Sequence, residues 1–186
     1  MVRVLAISGS LRKTSSNTAL LRAASLLAPE GIEITLYAGL DTLPFFNPDT
    51  EENALSSVID WRENLWKADG ILIASPEYAH GVTGVLKNAL DWVVGSGELT
   101  DKPIAVLNAS LTAVHGYASL TETLKIAGAH LVPEASLAIP LTSNRVDTRA
   151  ILLNPELSRA LIASVGELAS AIRIRQAGNS DGEISG

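Results

Sequence analysis

The chain of 186 residues predicts a doubly wound α/β fold, in which a five-stranded parallel sheet lies between two layers of helices. Strand-like and helix-like segments alternate along the whole chain, which is typical of consecutive βαβ units. The strand-like segments are almost wholly apolar, as expected for strands that are buried on both faces. Polar loops follow three of these strands, and sheets of this kind bind ligands beyond the carboxyl ends of their strands.

Hydrophobic periodicity assigns the individual elements. The predicted strands are Val2–Ile7, Ile32–Tyr37, Gly70–Ala74, Ile104–Ala109 and Ala129–Val132, and the fifth either ends there or continues over Ser136–Ile139 after an irregularity at Pro133. The predicted helices are Thr18–Leu27 with Asn17 as N-cap, Ala54–Lys67, Thr83–Val94, Tyr117–Ile126 and Pro155–Ile174. Residues 1–175 form one predicted domain, and the polar, glycine-containing tail over residues 176–186 is predicted to be disordered.

Composition limits the classes of function. The net charge is −6, so no global basic field exists to attract nucleic acid or an anionic membrane. The chain has no cysteine, which excludes disulfides, thiolate metal sites and thiol nucleophiles. No apolar run approaches about 18 residues, and no leader precedes the first strand. We therefore expect a cytoplasmic protein without a nucleic-acid or membrane partner.

The segment from Ala38 to Asn53 has no helical or strand period and is predicted to be a long loop. Loops of this length in compact domains are often functional. Its apolar residues Leu43, Phe45 and Phe46 either cover a site or a partner subunit, or fold back on the core. For the three tryptophans, the sequence likewise leaves open whether their side chains lie in the core or at a subunit interface.

The loop after the first strand carries hydroxyl groups and positive charge. Ser8, Ser10, Thr14, Ser15 and Ser16 are followed by a predicted helix N-terminus, and Arg12 and Lys13 add two cations. Such a loop suits a phosphate group, because unpaired N–H groups, the positive end of the helix dipole and hydroxyls converge on one anion. The alternative is an ordinary capped turn. The P-loop and dinucleotide-binding glycine patterns are both missing.

The loop after the third strand, Ser75–Gly81, is longer than a simple turn requires. Pro76 restricts the backbone, Tyr78 offers a flat face, and Gly81 allows a ligand to approach the main chain closely. A planar heterocycle fits such a loop, with its ring edge bound by backbone N–H groups of Glu77 to His80.

Two of these stretches resemble a known family. GSLRKTSSN after the first strand and PEYAHGVTGVLKNALDW after the third resemble the NAD(P)H-dependent FMN reductases of the flavodoxin-like superfamily, a group that includes quinone, azo-dye and chromate reductases. The resemblance covers residues 1 to about 175. It implies a flavodoxin-like fold, FMN as cofactor, and NADPH or NADH as co-substrate.

The resemblance also places the cofactor contacts. Ser10, Arg12, Ser16 and Asn17 match the loop that holds the FMN phosphate in the family. The segment along the flavin ring corresponds to Pro76, Glu77 and Tyr78, followed by His80 and Gly81.

The third loop, Ser110–Gly116, departs from the pattern, because relatives often have a glycine-rich stretch there. Ser110 is its candidate contact. The three histidines His80, His115 and His130 do not have the spacing of metal ligands, so no metal site is expected.

The resemblance implies a reductase that passes hydride from NAD(P)H through FMN to quinones or other small oxidised acceptors, namely azo dyes, chromate or free flavin. FMN carries the chemistry, so no catalytic side chain is assigned. Family members are commonly dimers or tetramers, which implies a homodimer or homotetramer here. Two alternatives remain: a flavodoxin-like electron carrier inert to NAD(P)H, and a hydrolase or phosphoacceptor domain, although the Gly-x-Ser-x-Gly motif is absent.

Overall fold

The computed structural model describes residues 1–53, 55–141, 143 and 145–183. The strands are β1 (Val2–Ser8), β2 (Ile32–Leu36), β3 (Gly70–Ala74), β4 (Glu77–Tyr78), β5 (Gly81–Val82), β6 (Pro103–Leu107) and β7 (His130–Leu131). The helices are α1 (Ser16–Leu26), α2 (Ser56–Lys67), α3 (Gly84–Asp91), α4 (Val114–Ile126), α5 (Thr148–Leu152) and α6 (Pro155–Glu183), with 3₁₀ turns at Leu40–Thr42 and Pro48–Asn53.

Five strands form one parallel sheet in the order β2-β1-β3-β6-β7. The chain moves outward from β1 to β2, then returns to the other side of β1 to lay down β3, β6 and β7. This is the strand order of flavodoxin-like doubly wound sheets, and it confirms the predicted fold class. The direction reverses between β1 and β3, where Ser8 pairs with Ala74 at the carboxyl ends of the two strands.

Alternate residues of the central strands pack into two separate cores, because side chains of a strand point to opposite faces of the sheet. In β1, Val4 and Ala6 join the core under α1, α5 and α6, while Leu5 and Ile7 join the core under α2, α3 and α4. Both faces are therefore covered, which explains why the strands are apolar at consecutive positions. The result is a three-layer sandwich.

The fifth strand of the sheet is shorter than its predicted length. β7 contains only His130 and Leu131, and the chain touches β6 again through an isolated bridge between Asn108 and Ala138. Between these points the hydroxyl of Ser136 accepts the bond from the N–H of Val106 at 3.1 Å. A side-chain oxygen thus provides the acceptor for this N–H where the chain leaves the ladder between Leu131 and Ala138.

The last helix differs from its prediction at the C-terminal end. α6 continues to Glu183, so residues 176–183 are helical where the sequence predicts a disordered tail. Extending an existing helix requires no new nucleation, which allows polar residues and two glycines to follow the apolar part of α6. Residues 184–186 of the predicted tail lie outside the described residues, as does Ala54, the predicted first residue of the second helix.

The loop from Ala38 to Asn53 folds mostly against the core. Leu43 is buried, and the ring of Phe46 meets the ring of Trp92 edge-on with centroids 5.0 Å apart. The indole N–H of Trp92 donates to the carbonyl oxygen of Pro44 at 2.9 Å, which fixes the loop to the end of α3. Phe45 is 92% exposed, so it is the one of the three predicted apolar side chains that remains outside the core.

Of the tryptophans, Trp61 and Trp92 are core residues, whereas Trp66 is 61% exposed. Trp61 is fully buried in the core under α2 and α3. Its indole N–H donates to the carbonyl of Ala89 at 2.9 Å. A buried indole needs such a partner.

Lys102 is buried at the opposite end of the sheet from the polar loops, where its ammonium donates to the carbonyls of Leu65 and Ala68 at the end of α2. Burial lowers the pKa of Lys102 to about 8. The unfolded chain therefore binds more protons than the folded chain between that pKa and the ordinary value, and stability contributed by this residue rises with pH over that range.

We expect Lys102→Met to remove this pH dependence. In the parent protein, this residue raises the free energy of unfolding by about 1 to 2 kcal/mol between pH 7.5 and 9.5. Chemical denaturation at the two pH values measures the change. A Lys102→Met protein that gains as much stability as the parent over this interval would contradict the assignment, and Lys125→Met on the exposed side of α4 is the control.

Candidate functional site

A cavity of about 350 Å³ lies at the carboxyl ends of β1, β3 and β6, where the strand order reverses. Eight of the ten predicted cofactor contacts line it, namely Ser10, Arg12, Ser16, Asn17, Pro76, Glu77, Tyr78 and Ser110. Its other lining residues are Ser15, Ser75, Asn108, Ala109, Thr112, Ala113, Leu141 and Ser143. The two predicted contacts that do not line it are His80 and Gly81.

The N-terminus of α1 forms one wall of this cavity. The N-cap is Ser15, whose hydroxyl accepts from the N–H of Thr18 at 3.4 Å, and the prediction of Asn17 as N-cap is wrong by two residues. Asn17 instead lies in the first turn, where backbone N–H groups lack intrahelical acceptors. Its side chain is buried, and within the described chain Oδ1 has no hydrogen-bond partner.

Two hydrogen bonds made by side-chain hydroxyls near this wall hold the loop together. Ser8 and Thr18 share a hydrogen bond of 2.7 Å between their side-chain oxygens. The hydroxyl of Thr83 donates to the carbonyl of Gly9 at 2.7 Å, which ties the end of β1 to the start of α3. These contacts leave Ser10, Ser16 and Arg12 to face the cavity.

The loop after β3 forms a short hairpin that the sequence does not predict. β4 and β5 pair antiparallel around Ala79 and His80, which have φ values of 50° and 60°. Two consecutive residues with positive φ are characteristic of a two-residue hairpin turn. The pairing of Tyr78 with Gly81 uses backbone of the segment whose N–H groups are predicted from the sequence to bind the ring edge of a planar heterocycle. It also explains why His80 and Gly81 lie at the tip of the hairpin rather than in the cavity wall.

Glu77 connects this hairpin to α4. Its Oε2 accepts from the N–H of Gly116 at 2.6 Å, and its Oε1 lies 3.4 Å from Nδ1 of His80. A Cβ at position 116 would lie 3.1 Å from the Glu77 side chain, so the glycine lets the two segments approach without crowding. The rings of His80 and His115 meet edge-on with centroids 4.6 Å apart. The Glu77 carboxylate is therefore bound to protein groups, although the residue lines the cavity.

The third wall is organised by Asn108. Its side-chain nitrogen donates to the carbonyl of Ala113 at 3.1 Å, and its oxygen accepts from the N–H of Ser110 at 3.1 Å. Asn108 is not among the predicted site residues, although an amide at the end of an apolar strand is a signal that could have identified it. Leu141 and Ser143 were also missed, and nothing in their local sequence marks them, because only the tertiary fold brings them to the cavity.

The residues present fit FMN. A dianionic phosphate needs cationic, hydroxyl and N–H donors, and Arg12, Ser10, Ser16 and the first turn of α1 supply them on one wall. The unpartnered Oδ1 of Asn17 is an acceptor for which a ribityl hydroxyl is a suitable donor. The volume of the cavity falls within the range of small-molecule and cofactor sites.

Among the described residues, no group of three or more histidine, aspartate or glutamate side chains could hold a metal ion. No helix in the described part of the chain has both the length and the apolar character needed to cross a membrane.

The model of one protein family, described as NADPH-dependent FMN reductase, matches residues 2–143. The chain belongs to this family. An NAD(P)H-dependent FMN reductase of Pseudomonas aeruginosa is 36% identical over 168 residues, which cover 87% of this chain and 89% of the relative. A quinone reductase of Escherichia coli is 32% identical over 119 residues, which cover 62% of this chain and 63% of the relative.

The solved structure of FerB, a flavoenzyme NAD(P)H:(acceptor) oxidoreductase of Paracoccus denitrificans, superimposes with a TM-score of 0.82. It is 26% identical and the match covers 93% of this chain and 98% of FerB. As a member of the FMN reductase family, the chain is an oxidoreductase with FMN as cofactor and NAD(P)H as electron donor. This confirms the resemblance on which the sequence prediction rested.

Proposed function

We propose that this protein passes a hydride from NADPH or NADH through bound FMN to quinones or other small oxidised acceptors, a class that includes azo dyes, chromate and free flavin. The observation that carries the proposal is the single cavity that joins a cationic, hydroxyl-lined loop to the Pro76–Tyr78 segment at the switch point of the sheet. FMN supplies the hydride and electron chemistry when bound.

In this proposal the residues of the first loop hold the phosphate end. Ser10, Ser16 and the Arg12 guanidinium donate to the phosphate oxygens, and the N-terminus of α1 adds its partial positive charge. Asn17 accepts a hydrogen bond from the sugar alcohol chain. No side chain of the site has to donate or remove a proton for the cofactor to be held.

The hairpin and the third wall hold the ring end. Pro76 and Tyr78 supply apolar surface beside the cavity, and Tyr78 is 54% exposed, so its ring is accessible to a second ligand. Ser110 closes the opposite wall. His80 and Gly81 contribute through the conformation of the hairpin, and His80 faces solvent with 77% of its side chain exposed.

Spectroscopy and turnover test the proposed function. We expect the purified protein to bind FMN in a one-to-one complex and to oxidise NAD(P)H in the presence of a soluble benzoquinone. Failure to take up FMN in a calorimetric titration would overturn the assignment. A yellow protein that is inert to NADPH and NADH would instead be an electron carrier.

Arg12→Ala tests the phosphate assignment. We expect FMN affinity to fall about 10- to 100-fold, because one charge-assisted hydrogen bond to a dianion is lost. The rate of reduction in FMN-saturated protein should change far less. Arg173→Ala, on the exposed side of α6, is the matched control for loss of one positive charge. An Arg12→Ala protein with the FMN affinity of the control would remove Arg12 from this role.

We also propose that residues 1–175 act as a single FMN-binding domain and that the protein is a cytoplasmic homodimer or homotetramer. Large apolar side chains are exposed next to residues that line the cavity, among them Leu11, Leu111 and Val114. A neighbouring subunit would remove these side chains from water. Light scattering tests the assembly, and a particle with the 19.5 kDa mass of one chain would contradict it.

A further inference from the structure

We propose that a second cavity beside the FMN site binds the 2′-phosphate of NADPH and makes NADPH the preferred donor over NADH. This inference rests on the proposed function. The cavity has a volume of about 130 Å³ and lies between the first loop, α1 and the start of α5. Its polar side chains are those of Lys13, Thr14, Ser15, Thr18, Arg22, Arg145, Asp147 and Thr148.

The charge of this cavity is opposite to that of the whole protein. Lys13, Arg22 and Arg145 line it, whereas the chain as a whole has a net charge of −6. Among the ion pairs of the described residues, none involves these three cations. With Asp147 as the one carboxylate in the lining, these three cations leave the cavity with an excess of positive charge, which suits a multivalent anion.

The one acidic residue in the wall, Asp147, offsets one of the three positive charges and is held away from the cations by its role as a helix cap. Oδ1 of Asp147 accepts from the N–H of Ala150 at 2.7 Å and caps α5. The hydroxyls of Ser15 and Thr18 are likewise bonded within the protein. Thr14 and Thr148 add hydroxyl groups to the wall, so cationic and hydroxyl donors are both present, as phosphate recognition requires.

The position of the cavity connects it to the FMN site. Arg12 lines the first cavity and its neighbour Lys13 lines the second, while Ser15 lines both. A second stretch of chain also runs from one cavity to the other, because Ser143 lines the first cavity and Arg145 lines the second. One elongated ligand can therefore have one end in the second cavity and the other end against FMN bound in the first.

NADPH is such a ligand. Its nicotinamide has to reach the FMN site, and its 2′-phosphate lies at the far, adenosine end of the molecule. That phosphate is the only chemical difference between NADPH and NADH, and it carries close to two negative charges near neutral pH. A cationic cavity next to the FMN site thus distinguishes the two donors by charge.

The test uses the FMN-saturated protein, so that the first cavity cannot accept a nucleotide phosphate. Calorimetric titration compares 2′,5′-ADP with 5′-AMP, which lacks the 2′-phosphate. We expect 2′,5′-ADP to bind at least about tenfold more tightly, and the difference to vanish in the double variant Lys13→Gln/Arg22→Gln. The ratio of kcat/KM for NADPH to kcat/KM for NADH should fall by about tenfold or more in the same variant.

Two controls make the result specific. The variant Arg173→Gln removes one positive charge from α6, outside both cavities, and should keep the parent ratio. Inorganic phosphate should bind more weakly than 2′,5′-ADP, and equal binding of the two would show a general anion site and overturn the inference.

Equal affinity of the parent protein for 2′,5′-ADP and 5′-AMP would overturn it as well, as would a double variant that keeps the NADPH preference. The nucleotide titration does not depend on turnover. Failure of the proposed function, seen as no FMN uptake and no oxidation of either donor, is therefore distinguishable from failure of this inference, seen as oxidation of both donors without discrimination by Lys13 and Arg22.

Discussion

Gly9→Ala is expected to lower the free energy of unfolding by about 2 to 3 kcal/mol and to weaken FMN binding at the same time. A Cβ added at this position would lie 2.2 Å from Oγ of Ser75, 2.6 Å from Cβ of Ser75 and 3.1 Å from Oγ1 of Thr83. Rotating the serine moves its hydroxyl but not its Cβ. The clash can therefore be relieved only by moving backbone.

The backbone around Gly9 resists that movement. Its N–H donates to the carbonyl of Ala74 at 2.9 Å, and its carbonyl accepts from the hydroxyl of Thr83 at 2.7 Å. Separating the ends of β1 and β3 breaks or lengthens these bonds. It also moves Ser10 relative to Pro76, and these two residues line opposite parts of the proposed FMN site.

Chemical denaturation and FMN titration measure the two effects. Gly84→Ala is the matched control, because nothing lies within 4 Å of a Cβ at that position and alanine is the better helix former. The double variant Gly9→Ala/Ser75→Gly should recover much of the lost stability, since it removes the closest colliding atoms. If Gly9→Ala has the stability and FMN affinity of Gly84→Ala, the close contact does not control the site. The same conclusion holds if adding Ser75→Gly restores none of the lost stability.

The central strands and the outline of the site could be predicted from the sequence because both depend on residues that are close together in the chain. Apolar runs such as Gly70–Ala74 identify buried parallel strands, and parallel strands place the loops that follow them at one edge of a sheet. Ser10, Pro76 and Ser110 belong to three different loops, yet they line the same cavity for this reason.

The parts that were missed depend on contacts between distant segments. Ala79-His80 lacks the glycine or asparagine that marks a two-residue turn, so the β4–β5 hairpin left no local signal. The bond between Glu77 and Gly116 joins residues far apart in the chain. Ser15 and Asn17 are equally good N-cap residues by type, and the choice between them is made by where the loop enters α1.

Glu77→Ala is the second change with a large expected effect. The carboxylate accepts the hydrogen bond from the buried Gly116 N–H at the start of α4 and also lies 3.4 Å from the His80 imidazole. Removing it leaves a buried N–H group without its acceptor and frees the hairpin from α4. We expect the free energy of unfolding to fall by about 2 kcal/mol. FMN affinity should also fall, because Pro76 and Tyr78 are placed by this hairpin.

Glu77→Gln separates the hydrogen bond from the charge. Glutamine keeps an acceptor oxygen for Gly116, so we expect it to retain more than half of the stability and of the FMN binding energy that alanine loses. Glu122→Ala, on the exposed side of α4, controls for loss of a carboxylate. If Glu77→Gln loses as much stability and FMN affinity as Glu77→Ala, the negative charge rather than the bond to Gly116 holds the hairpin. If Glu77→Ala has the stability and FMN affinity of Glu122→Ala, the hairpin keeps its position without Glu77.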